Sequence, residues 1–262
     1  NENGILNNPG MKILHSPGYD YRTSVPTLIS AIKDVHRWSQ RNPAHAPIMI
    51  LIELKESVTG PVRAKPVPFD AEQLQAVDAE IRSVFSENEM ITPDSVRGNR
   101  ATLREAILKD GWPSLSNSRG KVFFALDNGG RLRDLYLAEH PSLAGRVMFA
   151  SVDIDHDAAG FLKLNDPIAD FATIQNAVKS GFIVRTRADS ETREARTRDT
   201  SRRDKAFASG AQYISTDFPE PDQRFSDYQV RFEGDQMVRI NPVSASKWSG
   251  KPLSESIELK ET

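Results

Sequence analysis

The sequence predicts an α/β protein built on a parallel sheet, and three observations carry that expectation. Five consecutive apolar residues, Ile48 to Ile52, follow Pro47 and run directly into Glu53 and Lys55. A continuous apolar run of this length reads as a strand covered on both faces. Short apolar runs of this type recur six times, at 11–15, 48–54, 121–126, 146–150, 182–186 and 212–215. The segments between them are long and mostly of helical period, as parallel pairing requires. Finally, ionisable residues gather where these runs end, and the C-terminal ends of parallel strands are where α/β proteins place their chemistry.

In chain order, residues 1–10 are rich in Asn and Gly and read as a loop. The run 11–15 ends in His15 and is stopped by Ser16-Pro17-Gly18. Residues 27–40 have helical spacing, with Leu28, Ile32, Val35 and Trp38 on one face. After the strand at 48–54, residues 58–69 hold three prolines and form a surface loop. Asp70 is in position to cap a helix whose apolar face is Leu74, Val77, Ile81 and Phe85. Residues 102–109 form a short helix that Gly111 ends. From 121 the alternation is regular: strand 121–126, helix 131–139, strand 146–150, a polar loop 153–166, helix 171–180, strand 182–186, a helix over about 200–208, and strand 212–215. Residues 228–232 and 236–240 read as a small terminal hairpin. Such alternation fits an open doubly wound sheet or a barrel. No Gly-rich phosphate fingerprint follows any strand, which disfavours the dinucleotide-binding version.

Composition narrows the function classes. The 262 residues are 38% hydrophobic and 27% charged, in the range of a globular domain. The net charge of -2 supplies no field for nucleic acid. Cysteine is absent, so disulfide and thiolate chemistry is excluded, and no His/Cys spacing for zinc occurs. No apolar run approaches the roughly 20 residues of a spanning helix. A G-x-S-x-G nucleophile elbow is also missing.

Among the polar residues at strand ends, His15 is the best acid/base candidate, because it ends a strand and an imidazole titrates near neutral pH. Asp20 and Asp217 are its two candidate carboxylate partners. His36, His45, His140 and His156 fall on helices or loops and read as surface groups. Glu53 offers the hard oxygen that calcium or magnesium prefers. Asp153, Asp155 and Asp157 alternate like part of a calcium loop, but the Gly and Glu that an EF-hand needs are missing. Arg185 and Arg187 share one strand face, and their forked donors suit a phosphate or a polyol.

Several stretches together resemble one family: Lys12-Ile-Leu-His15 with Asp20-Tyr-Arg-Thr, Ile50-Leu-Ile-Glu53-Leu-Lys55, Gly111-Trp-Pro, and Gly120-Lys-Val-Phe-Phe-Ala-Leu-Asp127-Asn128. Lys163-Leu-Asn165-Asp166-Pro167, Val184-Arg-Thr-Arg187-Ala-Asp189, Glu194-Ala-Arg196 and Ser215-Thr-Asp217-Phe-Pro219 complete the set. From about residue 10 to 242 the chain resembles the calcium-dependent, phosphatidylinositol-specific phospholipase C-like proteins of bacteria and fungi. The resemblance implies a (β/α)8 TIM barrel, a single domain over 1–262, and cleavage of inositol phospholipids to diacylglycerol and a cyclic inositol phosphate. It further implies a Ca2+ ion, transient contact with a membrane surface, and a secreted or periplasmic location. By position, His15 matches the second of two catalytic histidines and Glu53 a calcium ligand. Lys55, Arg185, Arg187 and Asp217 fall where the family contacts the substrate.

The family's first two strands carry a first histidine and further calcium ligands, and no counterpart stands upstream of Met11. The sequence-level expectation is therefore six strands of eight, with a preceding segment or another chain completing the barrel. Two alternatives stay open on the residues alone. One is a glycerophosphodiester phosphodiesterase on the same barrel, and the other a catalytically silent barrel that binds phospholipid or sugar phosphate.

Overall fold

A computed structural model describes residues 4–18, 20, 22–58 and 66–245. In chain order the elements are helix α1 (Leu28–Arg41), strand β1 (Ile48–Ile52), and helices α2 (Ala71–Arg82), α3 (Pro93–Arg97), α4 (Leu103–Lys109) and α5 (Leu115–Ser118). Strand β2 (Val122–Leu126), helix α6 (Gly130–Leu137), and strands β3 (Met148–Ala150) and β4 (Phe161–Lys163) follow. Helix α7 (Phe171–Lys179), strand β5 (Ile183–Arg187), helices α8 (Arg193–Thr197) and α9 (Ser201–Ser209), and strand β6 (Tyr213–Ser215) complete the order. Two compact units result, one from Asn1–Leu103 with Pro113–Ser151 and one from Arg104–Trp112 with Val152–Thr262. The protein is mixed α/β and every strand pairing is parallel, as its sequence predicts.

The first unit is organised on the parallel sheet β1-β2-β3. Ile48 pairs with Val122 and Ile52 with Leu126, and Phe124 to Leu126 pair with Met148 to Ala150. β2 is the central strand and all five of its residues are buried, whereas those of the edge strand β1 are half-buried. Gly120 admits the chain into β2: its φ is +73°, and a Cβ there would lie 2.5 Å from the Pro43 carbonyl oxygen. Only glycine tolerates that approach without displacing the backbone.

Helix α2 begins as its sequence predicts. Asp70 accepts the Glu72 and Gln73 amides at 2.9 and 3.1 Å, and Gln73 returns the bond to the Asp70 amide at 3.0 Å. This reciprocal cap satisfies donors that the first helical turn cannot. Leu74, Val77 and Ile81, with Phe85 just beyond the helix, are buried. Beneath them Tyr136 donates its hydroxyl to Asp78 at 2.7 Å and accepts the Met148 amide at 2.9 Å, which ties α2, α6 and β3 together. In α1, Thr27 caps the Ser30 amide at 3.2 Å and the buried face is Leu28 and Ile32. Trp38 differs from its expected place on that face: it is half exposed and lies against the His45 ring.

The second unit is organised on the sheet β4-β5-β6, with Phe161 to Lys163 paired to Ile183 to Arg185 and Arg185 to Arg187 paired to Tyr213 to Ser215. Helices α7 and α9 cover this sheet. Beyond the strand ends, Phe218, Tyr228 and Val230 pack on Ala188 and Ala195.

Two strand assignments depart from the sequence reading. The expected strand at 11–15 is reduced to one antiparallel bridge, Lys12 with Thr27. Its backbone is satisfied locally: the Ile13 amide donates to the Pro26 carbonyl, the Met11 carbonyl accepts from Leu28, and the Met11 amide donates to Glu80. No ladder is then needed to satisfy that backbone. Conversely, β4 lies within the stretch expected to be a loop. Three residues are too few to display a period, and β4 exists because β5 pairs with it. The expected C-terminal hairpin closes through one bridge, Phe232 with Gln236.

Candidate active site

In the first unit, a cleft of about 540 Å³ opens at the C-terminal end of β1. Its wall includes His15, Glu53, Lys55, Glu56, Asn128 and Arg131. Three sequence candidates therefore meet in one place. Glu53 and Lys55 reach it because alternate residues of an extended chain project to the same side. Leu54, between them, is buried.

Asn128 sets the geometry of that end. Its Oδ1 accepts the Leu54 amide at 2.7 Å and its Nδ2 donates to the Leu54 carbonyl at 2.9 Å. One side chain thus satisfies both backbone groups of Leu54 where the ladder to β2 has stopped. Lys55 donates to the His15 carbonyl at 2.7 Å and stands 3.3 Å from a Glu53 carboxylate oxygen. The His15 backbone is held by an ammonium from the neighbouring segment, although 11–15 does not form a strand.

The His15 ring pairs through Nδ1 with Asp20 Oδ2 at 2.9 Å. Of the two carboxylates considered from sequence, Asp20 is the partner. With Nδ1–H directed at the carboxylate, Nε2 is the nitrogen left for proton exchange. Both side chains are largely exposed, 77% and 50%, so the pair orients the ring and adds little stability. On the far wall, Glu56 accepts Arg131 at 2.7 and 2.6 Å and the Phe69 amide at 3.0 Å. The Arg131 guanidinium holds the Glu56 carboxyl below its ordinary range. Sequence reading did not single out this pair. Its only signal was an arginine opening the helix that follows Asn128-Gly129-Gly130.

In the second unit, Arg185 is nearly buried, and its Nε and Nη1 donate to Ser215 Oγ at 2.6 Å and Asn165 Oδ1 at 2.5 Å. It braces the ends of β4, β5 and β6. Arg187, two residues on, is one-third exposed and lies 3.9 Å from Asp217, whose side chain is 61% exposed. At that distance each keeps hydrogen-bonding capacity for a third group. Arg185, Arg187 and Asp217 thus converge in this unit, as His15, Glu53 and Lys55 do in theirs.

Calcium takes about six to eight oxygen ligands. Among the described residues no three His, Asp or Glu side chains converge to hold a metal ion. In the cleft, Glu56 is committed to Arg131 and the Asn128 amide to Leu54, and nearby Asp20 is paired with His15. Among the described residues of the cleft, Glu53 is the carboxylate that could contribute to a calcium shell, as one ligand of the several required.

The structure of a calcium-dependent phosphatidylinositol-specific phospholipase C from Streptomyces antibioticus matches with a TM-score of 0.51 at 19% identity, over 73% of this chain and 70% of that one. At this identity the likeness bears on the fold alone. A calcium-dependent phosphoinositol-specific phospholipase C from a Gram-negative Pseudomonas species matches with a TM-score of 0.45 at 17% identity, over 61% of this chain. The chain spans 57% of the length of that Pseudomonas protein. Comparison with curated proteins returns no match. The family model described as "Phosphoinositide phospholipase C, Ca2+-dependent" matches residues 1–242, nearly the whole described chain, and the chain belongs to that family.

Proposed function

We propose that this chain serves, in its full-length protein, as a calcium-dependent phosphodiesterase that cleaves phosphatidylinositol-type lipids by general acid–base catalysis. The observation that carries the proposal is the His15–Asp20 pair beside Glu53 and Lys55 in one open cleft, in a chain of this family. In the proposed reaction the inositol 2-hydroxyl oxygen attacks phosphorus and the bond from phosphorus to the diacylglycerol oxygen breaks. The hydroxyl proton passes to a base, and His15 Nε2 gives a proton to the departing oxygen, so that diacylglycerol and a cyclic inositol phosphate result. In-line displacement puts acid and base on opposite sides of phosphorus, so His15 fills one of the two places. In the first unit Lys55 is the proposed contact to phosphate; in the second, Arg187 and Asp217 are the proposed contacts to phosphate and an inositol hydroxyl, with Arg185 bracing the strand ends that carry them. Glu53 is the one calcium ligand we assign among the described residues.

Transient membrane contact is supported by exposed apolar side chains in loops after strands. Val67 is 78% exposed after β1, and Ile168 is 52% exposed after β4. No helix among the described residues is long and apolar enough to cross a membrane. The family resemblance supports a secreted or periplasmic location.

One observation favours a second reading, a barrel that binds the lipid headgroup without turnover: among the described residues the cleft wall holds a single histidine and no complete calcium shell. Phosphorus NMR of phosphatidylinositol incubated with the full-length protein and calcium separates the readings. A cyclic inositol phosphate signal that chelation abolishes is expected. An acyclic phosphomonoester, formed by attack of water in place of the 2-hydroxyl, would indicate the glycerophosphodiesterase type of reaction, and unchanged lipid the silent barrel.

A further inference from the structure

Asp189 lies two residues beyond Arg187 and is fully buried. Its Oδ1 accepts the Asp217 amide at 3.0 Å, and its Oδ2 accepts the Thr216 hydroxyl. Its chain neighbour Ala188 packs in a buried cluster with Ala195, Phe218, Tyr228 and Val230. Burial pushes the carboxyl up from its ordinary range, against the pull of the Thr216 and Asp217 hydrogen bonds. Among the described residues no cation stands within ion-pair distance of it. A carboxylate so placed carries a desolvation cost that its hydrogen bonds only partly offset.

What the cost secures is geometry. The ladder between β5 and β6 ends at Arg187 with Ser215, followed by the Ala188 amide bonding to the Ser215 carbonyl at 2.9 Å. Past that point the Asp189 side chain takes over and holds Thr216 and Asp217 in place. The Asp217 carboxylate is thereby set 3.9 Å from the Arg187 guanidinium on the adjacent strand.

We propose that Asp189 is a positioning residue that sets Asp217 opposite Arg187, so that the two together bind a phosphorylated polyol. The guanidinium takes phosphate oxygens, and the carboxylate accepts from a neighbouring hydroxyl of the same molecule. Asp189 itself touches no ligand and acts through the other two. The inference rests on the inositol-phosphate reading of the preceding subsection.

The test is calorimetric titration of the full-length protein with myo-inositol 1-phosphate. Asp189→Ala should weaken binding by about 10-fold or more, the scale of a lost charged hydrogen bond. Asp189→Asn keeps an acceptor for the Asp217 amide and should recover most of the affinity. In an Arg187→Ala background, Asp189→Ala should cost less than about 2-fold, since residues acting through one another are not additive. A merely structural role would not yield that cancellation. If Asp189→Ala does not fold, Thr216→Val removes a donor to Asp189 and should weaken binding in the same direction. Native affinity in folded Asp189→Ala, or a full additive cost in the double variant, overturns the positioning role and leaves the inositol-phosphate reading standing. Native protein that does not bind the probe overturns that reading, and this inference with it.

Discussion

Asn128→Asp exchanges one amide nitrogen for an oxygen and should disrupt the end of β1 more than its size implies. The native amide receives the Leu54 N–H at 2.7 Å and donates to the Leu54 carbonyl at 2.9 Å. Aspartate keeps the first bond and turns the second into an oxygen facing an oxygen. Leu54 is only 7% exposed, so water has little access to replace the lost donor. A lost neutral hydrogen bond costs about 1 kcal/mol, and a buried carbonyl left unsatisfied about 1–3 kcal/mol. The variant should therefore lose about 2–4 kcal/mol at neutral pH. Asn128→Ala loses both bonds but brings no repulsion and opens space for water, so it should be no more destabilising than the aspartate. Urea unfolding followed by circular dichroism, at unchanged m-value, measures both. The penalty should shrink as pH falls and the new carboxyl gains a proton to donate. Because Leu54 lies between Glu53 and Lys55, both variants should also lower turnover by the full-length protein. An Asn128→Asp protein within about 0.5 kcal/mol of native, the ordinary range of surface substitutions, would refute the clamp.

His15→Ala should slow cleavage of phosphatidylinositol strongly, but should slow far less a substrate with a nitrophenol or thiolate leaving group, which needs no proton. Equal losses on both would remove His15 as the acid. Glu53→Gln should weaken calcium binding by the full-length protein in calorimetric titration with the fold intact, since a hard cation prefers a charged oxygen to an amide, and equal affinities would exclude Glu53 as a ligand. At Glu89, burial raises the carboxyl, but hydrogen bonds from His36 and Ser86 outweigh it and hold the group at about 2, below its ordinary 4.5. A depressed carboxyl stabilises the fold fully above about 4.5 and loses that contribution as pH falls towards about 2. Glu89→Gln should therefore lower the melting temperature at neutral pH and flatten its fall on acidification. An acid limb as steep as the native one would show that the pair is not coupled to folding.

Much of the frame was legible because its determinants are local. The apolar run at β1, the Asp70 cap with its helical face, and the glycines that end helices are each set by neighbours within a few residues. The candidate residues were legible for a related reason: extended backbone projects alternate side chains to one side, so Glu53 with Lys55, and Arg185 with Arg187, had to emerge together. Tertiary structure decided what each of them does there. Arg185 and Arg187 share a face in the sequence, yet one is a brace held by Asn165 and Ser215 and the other is left accessible beside Asp217. That difference comes from contacts spanning 20 to 30 residues, which no local pattern encodes. The same holds for Asp20 as the partner of His15, where the turn at Ser16 and Asp20 brings the carboxylate to the ring. It holds also for β4, a three-residue strand that exists only because β5 supplies its ladder. And it holds for 11–15, where an apolar run sufficient for a strand spent its backbone groups on Pro26, Leu28 and Glu80 before any strand could pair with it. Periodicity fixes which way side chains face, whereas hydrogen-bond partners are chosen by whichever donor or acceptor the folded chain brings within reach.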